Sequence, residues 1–310
     1  MLCRALGRLR GRGRGLSPLA GAVVDLVGRG AAAGDRPTTS SAPDWWRSHA
    51  SIAGEGSRSV DADEVAKFAA LADTWWDTNG PYGALHRLNY ARCPFIRVSA
   101  SHHFGRASKG LRPFEGLSLL EVGCGGGILS ESLAVLGFQV TAIDAAEESI
   151  EAAREHAKRN SLLSSGREAS LRYEATTAET LQASLAEPFD VVVSSEVIEH
   201  VLDPPEFCKT LSSLVKPGGL VVISTLNRTL WSYGLAIVAA EDVLGLAPKG
   251  AHDWDQFVTP AELEIMCGDA GMEVAALSGM RWSIPKMQFE LAKDTSVNYI
   301  AAFRKNDSKE

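Results

Sequence analysis

The segment 117–144 restricts the folds open to this chain more than any other. Leu117-Ser118-Leu119-Leu120-Glu121-Val122 is apolar enough for a buried strand, and it ends in Gly123-Cys124-Gly125-Gly126-Gly127. A helix-forming run, Ile128-Leu129-Ser130-Glu131-Ser132-Leu133, follows, and a second apolar run from Phe138 to Ile143 closes on Asp144. Strand, glycine turn, helix and strand make one crossover unit, and such units require a parallel sheet covered on both faces. The alternation continues with strands over 117–123, 138–144, 170–175, 189–194 and 219–225, and helices over 127–136, 147–160 and 204–214. A departure through 226–257 is followed by a helix near 260–270 and strand candidates at 272–279 and 295–304. The expected fold class is α/β, a Rossmann-like, mostly parallel sheet with helices on both faces.

The chemistry of the unit lies in its turn. Glycines without Cβ atoms let a ligand approach the backbone closely. Asp144 stands 21 residues after Gly123, where a neighbouring parallel strand presents a carboxylate to a ribose diol. A dinucleotide fingerprint needs a third glycine where Ile128 stands, which weakens the reading as an NAD(P)-dependent oxidoreductase. Glu121 repels a pyrophosphate but accepts a hydrogen bond from an amino group. S-adenosylmethionine carries that amino group and a sulfonium cation. Glu121, Gly123, Gly125 and Asp144 are therefore the candidate cofactor-binding residues, and Cys124 is read as a small loop residue.

In an open α/β sheet the ligand sits beyond the carboxyl ends of the strands. Two further stretches qualify. Thr177-Ala178-Glu179 is either an adenine-facing edge or an ordinary turn. Ser194-Ser195-Glu196-Val197-Ile198-Glu199-His200 follows the fourth strand, and a helical turn starting at Glu196 brings Glu199 and His200 to its face at i+3 and i+4. Glu196, Glu199 and His200 together suit Mg²⁺ keeping several waters, which acidifies a bound phenolic oxygen. His200 as a general base is the competing functional role, and loop capping the third reading.

Charge is distributed unevenly. Net charge is −7, yet residues 1–60 hold nine arginines, no lysine and four acids, so residues 61–310 carry −12. That acidic body is not a nucleic-acid binder's surface. The Arg-, Ala-, Gly- and Ser-rich stretch 1–43, with no acid before Asp25, reads as a mitochondrial transit peptide, with chloroplast import the main alternative and a tail with no address the third reading. Residues 44–115 form a helical cap and connection, and 116–306 the main domain. Five scattered cysteines show no metal spacing and fit a reducing compartment. The apolar, aromatic insertion 226–257 is too short and interrupted to span a bilayer. It either lies in a membrane interface, with Trp231 and Tyr233 near headgroups, or packs on the protein's own core.

Several segments together resemble the ubiquinone-biosynthesis O-methyltransferases, within the class I S-adenosylmethionine-dependent methyltransferases. They are Thr74-Trp75-Trp76-Asp77, His86-Arg87-Leu88-Asn89, Leu120 to Leu129, Glu196 to Val201, Ser224 to Arg228, Pro248 to Asp253, and Val297-Asn298-Tyr299. The resemblance covers 61–304 and implies a seven-stranded sheet whose last strand is antiparallel. It implies that Arg92, Gly123, Asp144 and Ser195 contact S-adenosylmethionine, with Arg92 pairing with the methionine carboxylate. Glu196, Glu199 and His200 match the proposed Mg²⁺ ligands of that family, with Glu199 and His200 the candidate catalytic pair. The implied acceptors are a polyprenylated dihydroxybenzoate and a demethylubiquinol. The implied setting is the matrix side of the mitochondrial inner membrane, with peripheral contact, alongside other coenzyme Q biosynthesis proteins. A methyltransferase-fold scaffold in a quinone-synthesis complex is the alternative. Glu121 stands where many relatives have Asp.

Overall fold

A computed structural model describes residues 60–163, 170–229 and 256–307. The expected transit segment 1–43 and most of the insertion, 230–255, lie outside the described residues. Strands β1 (Ser118–Val122), β2 (Gln139–Asp144), β3 (Leu171–Ala175), β4 (Phe189–Ser195) and β5 (Val215–Leu226) form the parallel part of one sheet. Strands β6 (Met272–Ser283), β7 (Gln288–Ala292) and β8 (Asn298–Lys305) complete it, in the order β3-β2-β1-β4-β5-β8-β6-β7.

Side chains along these strands alternate between two cores. Leu119, Val191, Val193, Leu220 and Val222 pack on one face, whereas Leu120, Val192, Val221 and Ile223 pack on the other. A strand buried on both faces shows no polar alternation, which is why these runs are apolar throughout. Helices α2 (Gly83–His103), α3 (Ile128–Val135) and α4 (Glu147–Arg159) cover the first face. The second face is covered by α5 (Ala178–Ser184), α6 (Pro204–Leu214) and α7 (Pro260–Asp269). A short α1 (Ala62–Ala70) precedes them, capped by Asp61, whose carboxylate accepts from the Asp63 N–H.

Eight strands are described where seven were expected. β8 runs antiparallel between β5 and β6, and β7 is the additional strand, turning back against β6. Residues 284–287 reverse the chain with Met287 at φ 51°, and Trp282 then lies opposite Phe289. The alternation Gln288-Phe289-Glu290-Leu291 carried the strand signal. Residues 100–115, read as a connection, hold the end of α2 and Phe114, which is fully buried and stacked on Phe138 at 4.4 Å.

Candidate active site

The glycine turn takes its shape from β1 and β2. The N–H groups of Gly123 and Cys124 both donate to the Ile143 carbonyl at 2.9 Å. Gly123, Gly125 and Gly127 adopt φ of 74°, 51° and 80°, a region that excludes most side chains. Space is as restrictive as the backbone. A Cβ on Gly123 would sit 2.4 Å from Val197 Cγ2, and one on Gly126 would sit 2.3 Å from Trp75 Cγ.

That second contact locates the roof of the site. Trp75 lies over the glycine turn, its indole N–H donating to Ser149 Oγ at 3.1 Å and its ring stacked on Tyr82 at 3.7 Å. Trp76 donates from its indole N–H to the Gly126 carbonyl at 2.9 Å and stacks on His156 at 3.2 Å. His156 is anchored by buried Glu131 at 2.8 Å, and His86 meets the Trp75 carbonyl at 2.8 Å. The segment 62–82 is thus a lid fastened to the turn by indole hydrogen bonds and ring stacking.

Beneath the lid lies a cavity of about 940 Å³. Arg92, Glu121, Gly123, Gly125, Asp144 and Ser195 all line it, and so do Glu196, Glu199 and His200. All nine site residues expected from the sequence therefore share one cavity. Its size is at the upper end of small-molecule sites, about 300–1,000 Å³, with room for two reactants.

The donor-side residues form a connected set. Asp144 at the end of β2 accepts from the Gly125 N–H at 2.8 Å and the Ala146 N–H at 2.9 Å. Burial pushes its carboxyl above the ordinary range. Glu121 is fully buried and accepts from Ser130 Oγ at 2.6 Å; burial pushes its carboxyl up to about 7, against the pull of Ser130 and Arg92. Arg92 Nη1 donates to Ser195 Oγ at 2.8 Å, Ser195 to Ser224 Oγ at 2.6 Å, and Ser224 to Glu196 Oε1 at 2.7 Å. The buried guanidinium and the Glu196 carboxylate are thereby joined through two hydroxyls.

S-adenosylmethionine fits these residues. The Tyr82 hydroxyl is buried in the lining and has no hydrogen-bond partner among the described residues. Burial and the nearby Asp144 charge raise its pKa to about 12, so it remains a donor. An unpartnered donor beside a carboxylate and a close-approach glycine turn suits the hydroxyl-bearing nucleoside of that cofactor.

Mg²⁺ does not fit as expected. Glu196 is not the start of a helical turn, because its φ is 57° and the 3₁₀ turn begins only at Ile198. The three side chains consequently take separate partners: Glu196 the Ser224 hydroxyl, Glu199 the Thr225 hydroxyl at 2.8 Å, and His200 the Glu64 carboxylate at 3.0 Å. Among the described residues no group of three or more His, Cys, Asp or Glu is placed to hold a metal ion. Glu199 is buried, and burial with the Glu196 charge pushes its carboxyl up to about 7. For His200 burial acts downward, but the Glu64 carboxylate and the Glu199 charge prevail and hold it above its ordinary value. Glu64 in turn is pulled down to about 2, chiefly by His200.

Sequence reasoning did not find Glu64, Tyr82, Ser224 or Thr225 as parts of the site. Ser224 and Thr225 end β5, and weighing every strand end would have found them. Thr177 caps α5, its hydroxyl accepting from the Thr180 N–H at 3.3 Å, and also lines the cavity.

Residues 97–277 match the methyltransferase domain family. A ubiquinone biosynthesis O-methyltransferase of Parvibaculum lavamentivorans is 45% identical over 243 residues, covering 78% of this chain and 93% of that protein. The chain belongs to the ubiquinone biosynthesis O-methyltransferase family. It is an S-adenosylmethionine-dependent methyltransferase. The Arabidopsis thaliana protein named ubiquinone biosynthesis O-methyltransferase, mitochondrial, is 44% identical over 78% of this chain and 74% of its own length. Magnesium protoporphyrin IX methyltransferase from Synechocystis, crystallised with S-adenosylmethionine, shares the fold at a TM-score of 0.50. It is 18% identical, over 81% of this chain and all of that one.

Proposed function

We propose that this enzyme of ubiquinone biosynthesis methylates a phenolic hydroxyl of polyprenylated dihydroxybenzoate and demethylubiquinol intermediates. One observation carries this reading: a single cavity joins the glycine turn and Asp144 to the Glu199–His200 pair under the Trp75 lid. S-adenosylmethionine supplies, when bound, a sulfonium-activated methyl group. Gly123 and Gly125 shape the turn that borders it, Asp144 and Tyr82 take ribose hydroxyls, and Glu121 and Arg92 hold the amino acid end.

The protein's remaining work is positioning and proton management. Glu199, with its carboxyl pushed up to about 7, takes the phenolic proton near neutral pH, where a base of that strength is most effective. His200, held above its ordinary value by the Glu64 carboxylate, stabilises the phenolate oxygen in its protonated form. Ser224 and Thr225 fix the two carboxylates, and the lid excludes water. No step passes through a metal, because Glu196, Glu199 and His200 would first have to exchange Ser224, Thr225 and Glu64 for the ion.

The Arg-rich leading stretch and the mitochondrial relative support a mitochondrial location, peripheral on the matrix side of the inner membrane. Among the described residues no helix is long and apolar enough to cross a membrane. A tail-bearing intermediate also suits hand-over between this enzyme and other coenzyme Q biosynthesis proteins.

Turnover of a short-chain prenylated catechol is the test. Glu199→Gln and His200→Gln should each lower kcat by about 10²–10⁴ while sparing cofactor affinity. Turnover should survive exhaustive chelation. Loss of turnover on chelation, restored by Mg²⁺, would show that the three side chains regroup on an ion and overturn the metal-free account.

A further inference from the structure

The cavity extends past the glycine turn to an outer part that the common methyltransferase domain does not build. The family match covers 97–277, but Phe68 and Leu85 on one side and Met280, Trp282, Ile284 and Phe289 on the other line the cavity from outside that range. Met280 and Trp282 share one face of β6, and Ile284, in the turn that follows, lines the same cavity. Phe289 of β7 stands directly opposite Trp282, with the two rings edge-on at 5.2 Å. Arg87 of α2 places its guanidinium 5.9 Å from the Trp282 ring, bracing the hairpin against the helix.

Burial falls steadily along this wall. Met280 is 1% exposed, Trp282 and Phe289 are half-buried, and Ile284 is 76% exposed. A lone exposed aliphatic is ordinary surface, but Ile284 continues an apolar lining of the same cavity that holds Glu199 and His200. A polar acceptor ring alone needs no such wall. An acceptor with a long apolar tail needs one that leads outward from the ring site to solvent or lipid.

We propose that the space between α2 and the β6–β7 hairpin is a subsite for the isoprenoid tail of the acceptor, with Trp282 and Ile284 setting the preference for tailed acceptors. This rests on the reading above that the acceptor is a prenylated catechol. The generic domain then supplies the glycine turn, Asp144 and the Glu199–His200 pair, and the hairpin added after it selects for the acceptor's tail.

The test compares, in detergent solution, a dihydroxybenzoate bearing two isoprene units with the same compound lacking them. Wild type should favour the tailed compound in kcat/KM. Ile284→Ser and Trp282→Ala should shrink that preference about tenfold, the effect of removing apolar contact from a binding pocket. Binding of S-adenosylhomocysteine and the melting temperature report whether the variants remain folded, and the exposed Ile284 makes its substitution structurally mild. Preference unchanged in both variants, or both compounds losing the same factor, overturns the subsite. A wild type that methylates both compounds equally also overturns it and leaves the O-methyltransferase reading standing. A wild type that binds S-adenosylhomocysteine yet methylates neither overturns both. If Ile284→Ser only releases the enzyme from lipid vesicles, the hairpin is a membrane contact and not a tail site.

Discussion

At the scale of residues, the site is controlled by where buried polar atoms find partners. Tyr82 Oη has none among the described residues, so Tyr82→Phe should leave the melting temperature unchanged. It should also weaken S-adenosylmethionine binding about three- to tenfold, the worth of one hydrogen bond, as read by calorimetry. Glu121 gives a pH signature. Its folded pKa of about 7 exceeds its ordinary 4.5, so its contribution to stability is full below pH 4.5 and is lost as pH rises through 7. A ligand ammonium favours the carboxylate, so cofactor binding should release a proton and tighten as pH rises through 7. Glu121→Gln should flatten that profile, and an unchanged slope would remove Glu121 from the ligand's contacts. Gly123, Asp144 and the Glu199–His200 pair were legible because strand ends and glycine spacing mark them locally. Glu64 was not, since its role depends on α1 reaching residues 136 positions away.

At the scale of elements, the lid and the hairpin are tied down by close approaches that only glycine permits. Gly126→Ala forces a Cβ against the Trp75 ring and should destabilise the protein by about 1–3 kcal/mol in denaturant unfolding, as overpacking does. It should also raise hydrogen exchange across 62–82 without altering exchange in β4 and β5. Gly279→Ala places its Cβ 1.7 Å from the Asp294 carbonyl oxygen, so it should cost at least as much and loosen β6 and β7 selectively. Equal exchange throughout the chain after either change would contradict the view of lid and hairpin as separately fastened elements. The first five strands were legible from apolar runs between helical patterns. β7 was passed over because four turn residues and a five-residue strand are short against the background of a continuing loop. The geometry after Ser195 is hidden for a different reason: Glu-x-x-Glu-His has helical spacing, and nothing local announces the left-handed backbone at Glu196.

For the whole molecule, one mostly parallel sheet sets the division of labour. Carboxyl ends of β1, β2, β4 and β5 converge on one cavity, the lid closes it over the glycine turn, and the added hairpin walls its outer part. A ligand that binds only the folded form should stabilise it by about 2.7 kcal/mol at one hundred times its dissociation constant. S-adenosylhomocysteine should therefore raise the melting temperature and protect 62–82 from exchange, whereas NADH should do neither. Above all, this cavity should move a methyl group from sulfur to a phenolic oxygen. The most direct measurement supplies S-adenosylmethionine carrying a trideuteromethyl group with a prenylated catechol, and locates the label by mass spectrometry and NMR. One labelled methyl should appear on a ring oxygen, and be lost in Glu199→Gln and Asp144→Ala. Label on a ring carbon, or an unlabelled acceptor despite bound cofactor, would contradict it.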